Sequence, residues 1–202
     1  MRIVFDFDGG VANTMPLIAD AASGIVNKRF GTPIEIAEEW YWRTAGLPFA
    51  EQLAVLDNQM NYDMTTKQLM ESTIELHGFV NMIYDVAEPW PDAHPAFEAL
   101  DYGMHLVSAT SSQLVSRFVY KWFPEALESV EPESKLYALQ RIVSMSRSTK
   151  KVLYIGDMPN DKKVADIVGA DFIGIDRGRD LPWTESTKVA AGLMEALEMA
   201  SV

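Results

Sequence analysis

The stretch FDFDGGVANTMP, residues 5 to 16, decides the fold. An apolar run, RIVF, ends in Asp6 and Asp8, and the chain then turns at Gly9-Gly10. Residues 2 to 6 read as a buried strand: short, β-branched and aromatic, closed by glycines. A strand ending in paired carboxylates asks for a partner of opposite charge.

Working outward, the block from Thr14 to Val86 carries helical periodicity and no strand signal. Thr14 is read as the cap of a helix with Pro16 in its first turn, running to Gly31. Helical pieces follow at 34 to 44 and 49 to 60, and Thr65 with Gln68 fits a capping box opening a long helix. Pro89, Pro91 and Pro95 then punctuate the chain. Beyond them strands and helices alternate. Strands are read at 104 to 108, 126 to 131, 151 to 157 and 171 to 176. Helices are read at 96 to 100, 111 to 123, 134 to 146, 161 to 170 and 189 to 200. Alternation of this kind means βαβ units and a parallel sheet. The fold class is therefore α/β: a Rossmann-like core with helices on both faces, residues 1–13 and 89–202. An all-helical domain, residues 14–88, is inserted after the first strand.

Composition narrows the function. The 202 residues are 48% hydrophobic, enough for a packed core, and contain no cysteine, which excludes disulfides and thiolate chemistry. The formal net charge of -12 disfavours nucleic acid as a partner, since Lys150-Lys151 is too small a basic cluster. No apolar run is long enough to span a membrane, and the start of the chain does not read as a secretory signal, so a cytoplasmic location is expected. The charge itself reads as a solvated surface. His77, His94 and His105 have no metal spacing and read as structural or surface residues. Met60, Met64, Met70 and Met82 read as core of the inserted domain.

In an open parallel sheet, ligands collect at the carboxyl ends of the strands. Asp6 and Asp8 follow the first strand; Ser108, Ala109 and Thr110 follow the strand at 104. Lys135 follows the weak strand, and Asp157, Asn160 and Asp161 follow the strand at 151, the last two in its loop. Carboxylates crowded together need a counter-charge, and Mg2+ is the natural partner of hard oxygen ligands. Such a set can transfer a phosphoryl group: one carboxylate attacks phosphorus, a second moves protons, and a hydroxyl and an ammonium hold the phosphoryl oxygens.

Four segments, DFDGG (6 to 10), LVSAT (106 to 110), ESKLYAL (133 to 139) and IGDMPND (155 to 161), in this order, resemble the haloacid dehalogenase superfamily of phosphatases. WPDAHPAFEAL (90 to 100) is similar to the return from cap to core in its members with a small helical cap. The resemblance covers the whole chain. It implies Asp6 as nucleophile and metal ligand, and Asp8 as general acid and base with its backbone carbonyl on the metal. It implies Ser108 and Lys135 at the phosphoryl group, with Thr110 competing for the Ser108 role. It implies Asp157 at the metal, with Asp161 in support or in its place. Gly9, Ala109 and Thr110 fall at substrate-binding positions. Arg43, before Gly46 and beside Trp40, Tyr41 and Trp42, is similar to an Arg-x-x-Gly feature of some capped sugar-phosphate enzymes. Helical-cap core and surface arginine are equally compatible with that cluster.

The implied activity is Mg2+-dependent hydrolysis of a small phosphorylated metabolite through an aspartyl-phosphate. A phosphomutase resembling β-phosphoglucomutase and a catalytically weak metal-binding regulatory module stay open as alternatives. Two departures stand out: Gly10, where the family carries Thr or Val, and Asn13, where it often carries Asp. Gly10 is expected to loosen the nucleophile turn. Thr14 and the stretch from Val86 to Pro91 read as two hinges.

Overall fold

A computed structural model of the chain describes residues 1–100, 104–124, 127–131, 134–146, 151–179 and 181–200. The chain divides into two compact units, residues 1–13 with 88–202, and residues 14–87.

The first unit is built on β1 (Arg2–Asp6), β2 (Met104–Val107), β3 (Leu127–Glu131), β4 (Val152–Gly156), β5 (Asp171–Ile175) and β6 (Val189–Ala190). They form one six-stranded sheet in the order β3-β2-β1-β4-β5-β6, and every pairing is parallel. β1 lies at the centre, between β2 and β4. The order reverses between β1 and β4, where a doubly wound sheet opens a crevice at its carboxyl edge.

Side chains alternate along β1 and so assign the helices to opposite faces. Val4 packs with Ala138, Leu139 and Ile142 of α7 (Lys135–Met145) and with Ala165 of α8 (Pro159–Val168). The next residue, Phe5, meets Phe97 of α5 (Ala93–Glu98) edge-on, with ring centroids 5.4 Å apart. On that second side α5 packs against α9 (Leu193–Ala200). β4 is buried along its whole length, as a central strand covered on both faces must be.

α6 (Ser112–Trp122) follows β2 and packs against β3. Where the chain leaves and re-enters this unit, Ala12 bridges Pro89 antiparallel and the Asn13 amide donates to the Glu88 carbonyl at 2.9 Å.

The second unit contains α1 (Met15–Phe30), α2 (Ile34–Thr44), α3 (Phe49–Met60) and α4 (Thr66–Val86). α1 packs on α2 and α4. Arg29 and Lys28 at the end of α1 pair with Glu75 of α4, and Arg29 also reaches Glu71. Trp40 is buried and donates from Nε1 to the Gln52 carbonyl, and the Thr44 hydroxyl meets Gln52 Oε1 at 3.0 Å. Tyr41 is also buried, so the aromatic cluster of α2 is largely core. α4 opens with the expected capping box: Thr65 accepts from the Gln68 amide, and Gln68 Oε1 accepts from the Thr65 amide. Such a cap is worth about 1 kcal/mol.

Several elements differ from the sequence reading. Thr14 occupies the N-cap of α1 but its side chain accepts no capping hydrogen bond, because its backbone is already helical (φ -97°, ψ -31°). Met60, Met70 and Met82 are exposed, Met70 and Met82 each at 60%, so they are not core; apolarity alone did not reveal which face of the helix they occupy. Residues 189 and 190 form β6, and α9 begins only at Leu193, because the β5 edge offers backbone partners to Val189 and Ala190. Asn160 and Asp161 lie in the first turn of α8 instead of a loop, since Pro159 suits the first helical position. Residue 126 of the weak strand, Glu133 and Lys150 lie outside the described residues.

Leu139 is fully buried between the sheet and α7. Leu139→Ala is expected to cost about 2–5 kcal/mol, read as a lower urea midpoint for loss of the core unit's signal. An unchanged midpoint would mean that Leu139 is not packed there.

Candidate active site

Two strand ends and two helix starts meet at the carboxyl edge of the sheet. Asp6 ends β1 and is 1% exposed; Asp157 follows β4 and Asp161 lies in α8, both at 0%. One carboxylate oxygen from each lies within 4.8 Å of the others. Lys135, the first residue of α7, inserts its ammonium between two of them, 2.8 Å from Asp6 Oδ1 and 2.8 Å from Asp161 Oδ1. Gly156 is what allows Asp161 to approach β4: a Cβ there would lie 2.7 Å from the Asp161 side chain.

The oxygens of this group are not equivalent. Asp161 Oδ1 also accepts from the Tyr154 hydroxyl at 3.0 Å, and its Oδ2 accepts from the Met158 amide at 3.1 Å. Asp157 Oδ2 accepts from Arg179 Nη2 at 2.6 Å. Asp6 Oδ2 and Asp157 Oδ1 are buried without a hydrogen-bond partner. Two orphaned carboxylate oxygens in one buried acidic group are costly unless something cationic meets them. All the donors are oxygen, the set a hard divalent cation prefers. The residues therefore fit a bound Mg2+.

Electrostatics point the same way. Burial, reinforced by Asp161, pushes the Asp6 carboxyl well above the ordinary carboxylate range, against the pull of Lys135. Burial also raises Asp157, with Arg179 opposing. Lys135 loses solvation, but Asp161 and Asp6 outweigh that loss and hold it charged well above its usual range. Burial, then the Asp161 charge, raises Tyr154, which remains a hydrogen-bond donor.

Asp8 stands apart from the three carboxylates. Its Oδ2 accepts from Ser108 Oγ at 3.0 Å and from Thr110 Oγ1 at 2.9 Å, while Ser108 Oγ accepts from the Thr110 amide at 2.9 Å. Ser108 and Thr110, alternatives in the sequence, thus both serve one carboxylate. Asp8 contributes no side-chain oxygen to the acidic group, which leaves its backbone carbonyl, the atom the resemblance assigns, for any part at a metal. Gly9 takes a left-handed φ of 82°, and its carbonyl accepts from Trp90 Nε1 at 2.9 Å. Ala109 is an exposed residue of the loop between Ser108 and Thr110. Arg43 belongs to the other unit, is 74% exposed and pairs with Glu39 one helical turn earlier. Nothing around it assigns it a ligand.

Sequence reasoning missed Arg179, Arg177 and Tyr154. Tyr154 was hidden inside an apolar strand. The two arginines carried a usable signal: RGR at 177 to 179 directly follows a strand, at the edge where the acids collect, in an acidic chain.

A model of the haloacid dehalogenase-like hydrolases matches residues 3–175. Among solved structures, the chain is similar to a conserved haloacid dehalogenase-like protein of unknown function from Agrobacterium tumefaciens. That pair shares 16% identity at a TM-score of 0.80, covering 99% of this chain and 97% of the other. A predicted phosphoglycolate phosphatase from Haemophilus somnus aligns at 16% identity and a TM-score of 0.72, covering 98% and 97%. A candidate β-phosphoglucomutase from Thermotoga maritima aligns at 17% identity and 0.62, covering 100% and 99%. At these identities the structural likeness carries the fold alone. No curated protein sequence matches the chain.

The raised carboxyls set a pH dependence. Between the ordinary carboxylate range and their folded values, Asp6 and Asp157 hold protons in the folded metal-free chain that the unfolded chain releases. The folded state then binds more protons, so this part of its stability falls as pH rises. A divalent cation favours the ionised carboxylates, so its binding expels protons. Titrating Mg2+ into metal-free protein in mildly acidic buffer is expected to give proton release, seen as heat that depends on the buffer. The rise in Tm with Mg2+ is expected to grow with pH. Neither proton release nor a Tm gain would mean that the acidic group binds no cation.

Proposed function

The chain belongs to the haloacid dehalogenase-like hydrolases, and from that premise we propose that it is a Mg2+-dependent phosphatase of a small phosphomonoester metabolite. The observation that carries the reading is the pair of orphaned oxygens, Asp6 Oδ2 and Asp157 Oδ1, in a group whose Asp6 Oδ1 lies 2.8 Å from the Lys135 ammonium. One of these oxygens is on the candidate nucleophile and the other is free to ligate the metal.

Asp6, Asp157 and the Asp8 carbonyl would hold Mg2+, with Asp161 in support. Both Asp161 oxygens are already engaged, by Lys135, Tyr154 and the Met158 amide, which favours Asp157 as the direct ligand. When bound, the cation supplies charge neutralisation for the phosphoryl oxygens and fixes their approach. Asp6 attacks phosphorus through a carboxylate oxygen: an O–P bond forms and the bond to the leaving oxygen breaks. Asp8 gives its proton to that leaving oxygen. Asp8 then takes a proton from water, whose oxygen attacks phosphorus and frees Asp6 and inorganic phosphate. Lys135 contributes positive charge to the transferring group and offsets part of the cost of ionising the buried Asp6. Ser108 and Thr110 hold the Asp8 carboxyl in place before substrate arrives and are available to phosphoryl oxygens afterwards. The presence of Asp8 argues for an oxygen leaving group that needs a proton, not a halide.

The test is phosphate release from p-nitrophenyl phosphate and a panel of phosphorylated metabolites, with and without Mg2+. Asp6→Asn is expected to abolish turnover, by at least about 10³-fold. Asp8→Asn is expected to cost about 10²–10⁴-fold. Undiminished turnover by Asp6→Asn, or isomerisation of a sugar phosphate without phosphate release, would contradict the reading.

A further inference from the structure

We propose that Arg177 is a positioning residue that fixes the Asp8 loop from behind and so sets the direction of its proton transfer. The inference rests on the reading of Asp8 as general acid. Arg177 is almost fully buried, its side chain 8% exposed. Its Nη2 donates to the Gly10 carbonyl at 2.9 Å. Its Nη1 donates to both Asp92 oxygens, at 3.1 and 3.0 Å. The guanidinium also lies over the Trp90 ring, 4.6 Å from its centroid, and Trp90 Nε1 donates to the Gly9 carbonyl at 2.9 Å. The two peptide carbonyls immediately after Asp8 are therefore tied to one stacked Arg–Trp pair. Asp92 is anchored in turn, its Oδ2 accepting from the Leu193 amide at the start of α9 at 2.6 Å.

Gly10 shows why the loop needs such a clamp. A Cβ at residue 10 would lie 2.4 Å from the Asp6 carbonyl oxygen. The turn is thus tightened against the backbone of the candidate nucleophile, contrary to the expectation that Gly10 loosens it. The Val11 and Ala12 amides both donate to the Phe7 carbonyl, which closes the turn. Glycine removes the steric obstacle to this conformation but adds freedom to the unfolded and alternative states. Arg177 supplies the opposing restraint. Ser108 and Thr110 hold the Asp8 carboxyl, while Arg177 and Trp90 hold the backbone that carries it. Loss of the rear clamp leaves Asp8 chemically intact but free to drift, and a displacement near 1 Å costs about 10²-fold in a step that depends on alignment.

The consequence is specific to the leaving group. A poor leaving oxygen, as in an alkyl phosphate, needs the proton from Asp8; p-nitrophenolate needs it far less. Arg177→Gln and Arg177→Lys are compared with the wild type on both substrate types under saturating Mg2+. Lysine keeps the charge but cannot bridge Asp92 and the Gly10 carbonyl with two arms, and it covers the case in which the glutamine variant does not fold. Turnover of the alkyl phosphate is expected to fall about 10²-fold. The first-turnover release of p-nitrophenolate, which precedes the attack of water and needs little of the Asp8 proton, is expected to fall by less than about tenfold. An equal loss of first-turnover rate on both substrates in a folded variant, or no loss at all, overturns the proposal. A wild type without Mg2+-dependent phosphatase activity on either substrate would instead overturn the reading of the site itself.

Discussion

Three carboxylates buried within 4.8 Å of one another are the constraint on which everything else turns. Against Asp6, Asp157 and Asp161 stand two cations, Lys135 and Arg179, so three charges minus two leaves one negative charge when all are ionised. Buried carboxylates repel, and the metal-free chain answers that repulsion by keeping protons. Such an arrangement adds no stability of its own, because apolar residues of similar volume would pack without the desolvation cost. A divalent cation would turn that balance to one positive charge, fit for a phosphoryl anion, and free the Asp6 carboxylate to act as a nucleophile.

The sheet makes the crowding possible. Asp6 and Asp157 terminate neighbouring parallel strands, β1 and β4, at the point where the strand order reverses. No intervening strand separates them. Lys135 and Asp161 approach from the first turns of α7 and α8, which cover the same face of the sheet. Asp8 leaves this group because the chain turns after Phe7, and it finds hydroxyl donors beyond β2 instead. Two environments thus separate two chemically identical side chains. One is a dry, anionic pocket suited to a nucleophile beside a metal; the other is a half-buried, hydroxyl-lined seat suited to moving a proton.

Much of this was legible in the sequence for a physical reason. Strands that end in polar residues announce the functional edge of a parallel sheet, so Asp6 and Asp157 were readable from pattern, and Lys135 only in the context they set. The capping box at Thr65 and Gln68 is local chemistry and emerged as expected. Features that depend on tertiary contact were not readable. β6 exists because β5 offers it a partner, and its two residues carry no strand pattern of their own. The methionines of α3 and α4 are apolar yet exposed, since periodicity does not say how much of a helix a small unit covers. Arg177 and Arg179 follow β5, and only the folded sheet brings them to Gly10 and Asp157. Gly10 was read only as freedom; that a Cβ there would lie 2.4 Å from the Asp6 carbonyl oxygen is a tertiary fact the sequence does not carry.

The most direct measurement is the anomalous scattering of crystals soaked in Mn2+, a substitute for Mg2+ at oxygen sites. The account requires a single strong peak at coordinating distance from Asp6 Oδ2 and Asp157 Oδ1, with Lys135 alongside. A peak elsewhere, or an empty cluster with its carboxylates turned onto Lys135 and Arg179, would contradict it.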